Sequence, residues 1–470
     1  MSGFNIIHAI RQRADAPAIA LVQGDRVLSY AGLFDRMDTA VDRIVDAVGK
    51  NGALRIGVRY PSGIDYVPLA MAVLAAGQCF VPIPEELATT EREELRQRTA
   101  LDAIIIGNHE SWQIERCESL TPSFPLDAFR ALNPAFIRFS SGTTGKSKGV
   151  VLSHESLLAR ITAANEGLRI GPSDRVLWVL PMAHHFAVSI VLYLYHGATT
   201  LIEEHHLGED LLRAGSVHGA TVMYGSPVHY RQLASAPGEH AWTALRLAVC
   251  TAAALDQATA DNFLQRFGKP LTQGLGIIEA GLPILNLDTP DDAAEAIGKP
   301  LPAYQTKLLD AHDGIGELCL RGPGMFDAYL DPWQTRAQVL DAEGWFATGD
   351  LASMESDGRL FLRGRKKSVI NVGGMKVFPE EVERVLDAHP GVRRSLVEAR
   401  AHPLYGEVAV ARFIARDVAP NVRELRKHCM EHLANYKIPL IFTVVSTLPL
   451  TASGKLLRRG QSVHDNVSPT

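Results

Sequence analysis

The sequence has no uninterrupted apolar run long enough to cross a membrane. Its most apolar region, VLWVLPMAHHFAVSIVLYLYHGATTLI (176–202), is broken by Pro181, His184, His185 and His196. It falls short of the roughly 18 to 20 apolar residues that a spanning helix needs. The opening stretch, MSGFNIIHAIRQRADAP, has no apolar core followed by a small-residue cleavage site, so no secretory signal is expected there. Positive charge is not in excess either. A net charge of −5 leaves no basic footprint for nucleic acid and no polybasic patch for a lipid surface. Cysteine is scarce: Cys79, Cys117, Cys250, Cys319 and Cys429 lie far apart, with no CxxC spacing and an odd total. That pattern argues against a disulfide framework or a thiolate zinc site and fits reduced thiols in a cytoplasmic protein. Internal repeats and low-complexity linkers are also missing.

What is present is an ordinary globular composition, 46% hydrophobic and 21% charged, in a chain of 470 residues. That length exceeds what one hydrophobic core usually spans, so two or three domains are expected. Over the first 130 or so residues, short apolar runs alternate with helical patterns. IGVRY (56–60), CFVPI (79–83) and DAIIIG (102–107) read as buried strands, and the alternation implies a layered α/β architecture. EELATTEREELRQRTA reads as a solvated surface helix. Further on, GELCLRGPGMFDAYL and GWFATGDLASMESDGRLFLRGR carry the glycine and aspartate punctuation of antiparallel hairpins. FPEEVERVLDAHPGV then reads as a helix opened by Pro379 and two glutamates, with Val382, Val385 and Leu386 as its apolar stripe. The expected fold is therefore α/β: a large layered N-terminal domain with an antiparallel β portion over 1–364, and a small α+β C-terminal domain over 365–470. The junction falls near GRKKS (364–368).

The stretch SSGTTGKSKG (140–149) combines glycines, hydroxyls and lysines with no large apolar side chain, as a phosphate-holding loop requires. It misses the Walker pattern GxxxxGK[ST] by one residue, because Ser140 stands where the first glycine belongs. A Walker loop must also lead into a helix, whose N-terminus supplies part of the anion site. Here AFIRF precedes the loop and GVVLS follows it, both with the character of strands. Helix begins only after Ser153, its expected cap. The loop is thus expected to be the tip of a hairpin, able to close over a polyphosphate as a flap. A kinase-like phosphotransferase would instead need a helix directly after Ser147 and would release ADP.

SSGTTGKSKGVVLSH resembles the phosphate-binding signature of the adenylate-forming superfamily, which holds acyl-CoA synthetases, peptide-synthetase adenylation domains and luciferases. PMAHHF (181–186), GLGIIEAG (274–281), GELCLRGP (316–323), GWFATGDLA (344–352), GRKKSVINVGGMKVFPEEVE (364–383) and LPLTASGKLLRR (448–459) resemble further signatures of that family, in its order. The resemblance implies two half-reactions. A carboxylate attacks the α-phosphate of ATP to give an acyl-adenylate and pyrophosphate; a thiol then attacks the activated carbonyl and releases AMP.

The resemblance also implies site residues. Ser140, Ser141, Gly142, Thr143, Thr144, Gly145, Lys146 and Lys148 would surround the phosphates. Leu275 and Gly276 would flank adenine, and Asp350 and Arg365 would hold the ribose. Lys455 would bridge the carboxylate and α-phosphate. Lys367 would be the hinge about which the C-terminal module turns between half-reactions. Glu279 and Thr144 would hold Mg²⁺, a hard cation that prefers oxygen ligands. His184 would sit beside the acyl carboxylate. A metal role for the adjacent His184 and His185 is not expected, because neighbours in sequence rarely point at one ion. The acid pocket would draw on His184, Phe186, Tyr224, Ser226, Ala252, Ala253 and Gly276.

This chain departs from the family pattern at Ser147, where the family usually has proline, and in three other places. Leu275 replaces an aromatic, Ile278 removes a hydroxyl usually offered to the AMP phosphate, and Asn371 stands where several relatives have a lysine used in thioester formation. Amino-acid-activating relatives have Phe-Asp-x-Ser where this chain has Phe186-Ala187-Val188-Ser189. Without that carboxylate a substrate ammonium would be buried unpaired, which disfavours an α-amino acid. A fatty or aryl carboxylic acid is expected, with coenzyme A as the thiol. A carrier-protein phosphopantetheine is the alternative, and a non-catalytic acyl-nucleotide binder a further one.

Overall fold

The computed structural model describes residues 3–50, 52–139, 148–205, 207–237, 242–288, 291, 293–372, 375–403, 405–450 and 456. Two large sheets organise the first part of the chain. One has nine strands in the order Lys299–Pro300, Gly281–Leu285, Leu271–Ile277, Leu247–Cys250, Val222–Gly225, Arg175–Trp178, Thr199–Ile202, Ile19–Gln23 and Arg26–Ser29. Its centre, from Leu271–Ile277 to Ile19–Gln23, is parallel. Strands such as Val222–Gly225 and Thr199–Ile202 are buried at every position. That is why they read as continuous apolar runs rather than alternating ones: parallel strands are covered on both faces.

The other sheet has eight strands and includes the three expected from the sequence, at Arg55–Arg59, Cys79–Pro82 and Ala103–Gly107. At its far side Pro134–Phe139, Gly149–Ser153 and Ala328–Leu330 pair antiparallel. A hydrophobic core joins the two sheets through residues such as Phe80, Phe136, Trp178, Phe186 and Tyr193, each 1% exposed or less. The expected surface helix spans Thr89–Thr99 and buries only Thr99.

The hairpin-rich region forms a four-stranded antiparallel sheet of Gln305–His312, Ile315–Arg321, Phe346–Met354 and Leu360–Arg365. Beyond it lies a second core of its own, from Ile370 to Phe442. It packs the helices Pro379–Asp387 and Val422–His432 on the long antiparallel pair Val392–His402 and Gly406–Ala415. The architecture is thus a large mixed α/β unit and a smaller α+β unit. None of the five cysteines is disulfide-bonded. Among the described residues no helix is long and apolar enough to cross a membrane.

Candidate active site

The phosphate-loop hairpin is built as its sequence implies. Pro134–Phe139 and Gly149–Ser153 run antiparallel, with Phe139 paired to Gly149. Helix His154–Leu168 starts only at Ser153, whose hydroxyl accepts the Ser156 N–H at 3.0 Å. A strand leaves the loop, so the helix N-terminus that a Walker site needs is not there. Ser140, Ser141, Gly142, Thr143, Thr144, Gly145 and Lys146 lie outside the described residues. Lys148 is described, and its ammonium stands 4.1 Å from the centre of the Tyr329 ring. The Tyr329 hydroxyl in turn donates to Glu279 Oε1 at 3.1 Å. Burial, and then the Glu279 charge, raise the Tyr329 pKa, so the phenol stays a donor.

Glu279 sits in the turn between Leu271–Ile277 and Gly281–Leu285. This turn is clamped from below by Arg160, a guanidinium in helix His154–Leu168 that is 1% exposed. Arg160 donates to the Gly324 carbonyl from Nε at 2.9 Å and Nη2 at 2.6 Å, and to the Ile278 carbonyl at 2.9 Å. The Phe326 N–H adds a bond to the Glu279 carbonyl at 2.8 Å. Burial lowers the Arg160 pKa to about 10, which still leaves it charged at neutral pH. Gly324 has φ +65°, and a Cβ there would come within 2.3 Å of the Arg160 main-chain nitrogen. Glycine is therefore needed for the close approach as well as for the turn.

His184 lies in the short helix Met182–His185, and its Nε2 meets Glu86 Oε1 at 2.8 Å. Burial and the neighbouring Arg138 push its pKa down, against the opposing pull of Glu86. The neutral imidazole then carries its proton on Nε2, donating to Glu86. Arg138, near the end of strand Pro134–Phe139, donates to the His184 main-chain carbonyl. Partial burial lowers the pKa of its guanidinium to about 10, with Glu279 acting in the opposite direction. Arg138, Glu86, Tyr329 and Arg160 complete this part of the site, and no local motif points to them.

Of the positions expected to line a pocket, Tyr224, Ser226, Ala252, Ala253 and Gly276 lie at the carboxyl ends of adjacent parallel strands, the usual ligand edge of an open α/β sheet. Tyr224 is the penultimate residue of Val222–Gly225 and stacks on Trp178 at 6.0 Å between ring centres. Burial raises its pKa to about 12, opposed by a hydrogen bond with Thr251. Ala252 follows strand Leu247–Cys250 with φ +72°, Ala253 is exposed, and Gly276 is exposed near the end of Leu271–Ile277. The Ser226 hydroxyl lies 2.8 Å from His229 Nδ1, so it is engaged within its own helix cap. Phe186 is fully buried and packs on Phe80 and Tyr66, at 5.5 and 6.1 Å. It opens a π-helical turn, Phe186–Ile190, that serves the core rather than an open surface. Leu275 is 8% exposed and likewise belongs to the core.

Asp350 and Arg365 face each other across adjacent strands, with Arg365 Nε 2.6 Å from Asp350 Oδ1. Lys366 reaches Glu317 at 2.6 Å, whereas Lys367 is exposed in the 3₁₀ turn Lys366–Ser368. Asn371 donates its main-chain N–H to Glu407 at 2.8 Å. Lys455 lies outside the described residues; nearby, Leu450 and Leu456 form an antiparallel bridge. His428, Glu431 and His432 bring one potential ligand atom each within 4.8 Å of the others. That set does not compete for magnesium, because two imidazoles suit transition metals and the Nε2 of His428 is bonded to the Val385 carbonyl at 2.8 Å.

The sequence matches the model of the AMP-binding enzyme family over residues 7–330, and that of the AMP-binding enzyme C-terminal domain over 381–455. The chain belongs to the AMP-binding enzyme family. Relatives in this family include a sulfoacetate–CoA ligase of Cupriavidus necator, 30% identical over 69% of this chain and 66% of that enzyme. A 2-succinylbenzoate–CoA ligase of Listeria monocytogenes is 32% identical over 71% of this chain and 70% of its own length. A feruloyl-CoA synthase of Amycolatopsis is 28% identical over 95% of this chain and 96% of that one. Among solved structures, ATP-bound MatB of Rhodopseudomonas palustris superposes with a TM-score of 0.84 at 22% identity, covering 96% of this chain and 97% of that one. AMP-binding enzymes thus share this fold across both units, including the smaller C-terminal one.

Proposed function

We propose that this protein is an ATP-dependent acid–thiol ligase acting on a carboxylic acid other than an α-amino acid. In the first half-reaction a carboxylate oxygen attacks the α-phosphorus and the bond to pyrophosphate breaks. In the second, a thiol attacks the acyl carbonyl, AMP leaves, and the thiol proton passes to solvent or a base. Coenzyme A is the expected thiol, in keeping with the relatives that are CoA ligases. The observation that carries this reading is the chain Lys148–Tyr329–Glu279 on a family-matched fold. It draws a lysine of the phosphate loop and a carboxylate toward one point.

Each group has a role that its chemistry suits. Lys148, with Ser140, Ser141, Gly142, Thr143, Thr144, Gly145 and Lys146, would hold the polyphosphate. The paired Asp350 and Arg365 would take the ribose hydroxyls, with Asp350 as acceptor. His184, neutral and held by Glu86, would border the reacting carboxylate. Lys455 would bring a positive charge to the point where carboxylate and phosphate meet, and the chain would turn near Lys367 between half-reactions, with the domain boundary at 364/365. Glu279 offers the kind of oxygen ligand that Mg²⁺ takes beside substrate phosphates, and one or two carboxylates suffice for such a site. Magnesium bound there would offset phosphate charge. We place the protein in the cytoplasm.

The test is carboxylate-dependent exchange of labelled pyrophosphate into ATP across fatty, aryl and amino acids. Exchange with fatty or aryl acids alone is expected; ADP as the product, or exchange with amino acids only, would overturn the reading. A carrier-protein phosphopantetheine is the alternative thiol, and replacing coenzyme A by a loaded-carrier assay separates the two.

A further inference from the structure

Arg138 is a half-buried cation in the site that the ligase reading leaves without a task. It stands two residues before the phosphate loop, on the strand that delivers it. A guanidinium carries five N–H donors. The only acceptor that Arg138 meets among the described residues is the His184 carbonyl. None of its nitrogens is sealed away without a partner, so the remaining donors face open space rather than packed protein. Arg138 is near enough to Glu279 to feel its charge. Position 278, the neighbour of Glu279 in sequence, is an isoleucine and offers no donor side chain.

A half-buried guanidinium with most of its donors open to a cleft is available to an anion. A structural arginine would spend its fork on carbonyls, as Arg160 does at Gly324 and Ile278. Arg138 instead uses one tether and leaves the fork open. A planar fork suits two oxygens of one phosphate. A distal acidic substituent on the acid is a poorer fit. The ends of the sheet strands at Tyr224 and Ala252 carry the pocket, whereas Arg138 belongs to the hairpin of the phosphate loop.

We propose that Arg138 is a nucleotide-binding residue that donates to the α-phosphate of ATP and of the adenylate, supplying the donor that position 278 lacks. This rests on the ligase reading for its reaction, but not for its measurement. Calorimetric titration of the full-length protein with AMP and with adenosine isolates the phosphate. Arg138→Gln should weaken AMP binding roughly tenfold to a hundredfold, the range for a charged hydrogen bond, and leave adenosine unchanged. Arg138→Lys, which keeps the charge but not the fork, should fall between, and it carries the test if the glutamine variant does not fold. Equal weakening of both ligands would mark a structural role and overturn the proposal, as would unchanged AMP binding. In pyrophosphate exchange the KM for ATP should rise while that for the acid stays put; the reverse would assign Arg138 to the carboxylate and sink the proposal. Wild-type protein that exchanges with no acid, yet loses AMP affinity through Arg138→Gln, would refute the ligase reading alone.

Discussion

Glu279 shows how a single residue is made usable by others remote in sequence. Its turn is held by Arg160 through the carbonyls of Ile278 and of Gly324, the latter 164 residues away, and its carboxylate by Tyr329, 50 residues away. Replacing Arg160 by methionine strands those buried carbonyls, and the loss should be about 3 kcal/mol or more in urea unfolding. Arg160→Lys should rescue little, since an ammonium cannot fork between two carbonyls. Tyr329→Phe removes only the donor on Glu279. It should keep the fold and raise the magnesium concentration needed for half-maximal exchange; an unchanged magnesium profile would separate Tyr329 from the metal role proposed for Glu279. Glu279 and His184 can be picked out as candidates from sequence because each sits in a local motif. Arg160, Tyr329, Arg138 and Glu86 cannot, because each becomes relevant only through a partner brought in by tertiary folding. Glu86 lies 98 residues from the histidine it orients.

At the scale of elements, the sequence carried the strand–loop–strand reading around the phosphate loop. β-branched residues follow the loop directly, and Ser153 caps the helix only afterwards. Ser153→Ala should therefore cost about 1 kcal/mol, measured as a lower urea midpoint. Phe186 went the other way. As part of a motif it read as a pocket residue, but the apolar environment of Phe80 and Tyr66 takes its ring into the core. The start of helix His154–Leu168 also couples stability to pH. His154 is 2% exposed and its Nδ1 accepts the Ile6 N–H at 3.4 Å. Burial, with a smaller contribution from His8, lowers its pKa from 6.5 to about 4. The unfolded histidine protonates as pH falls below about 6.5, whereas the folded one resists. Its contribution is thus present above that pH and lost on acidification toward pH 4. Between pH 7 and pH 5 the folded protein should lose about 2 kcal/mol through this group. Unfolding curves at the two pH values should show that excess loss in wild type and not in His154→Gln.

For the whole molecule, composition and pattern anticipated two unequal units, because the hairpin-rich stretch and the last hundred or so residues differ so plainly from the alternating first part. Which strands share a sheet was beyond local pattern. The nine-stranded sheet joins Ile19–Gln23 to Thr199–Ile202, 180 residues further on, a pairing set by burial and topology rather than by neighbouring residues. Between the two hydrophobic cores runs a short connection. Gly364, at φ +141°, ends the last strand but one residue, and a Cβ there would strike Glu380 of the next unit at 2.5 Å. Lys367 follows, exposed, while the units also touch through Arg384 and Glu295 at 3.5 Å. An exposed ion pair of this length contributes little, so it does not lock the two units together. If the C-terminal unit turns about this connection, fixing φ at Lys367 should affect the half-reactions unequally. Lys367→Pro should retain pyrophosphate exchange and slow thioester formation from a pre-made acyl-adenylate by tenfold or more, roughly the cost of an unassembled second site. Lys455→Ala should give the opposite pair of results. Equal behaviour of the two variants in both assays would mean that the small unit does not divide its work by rotation.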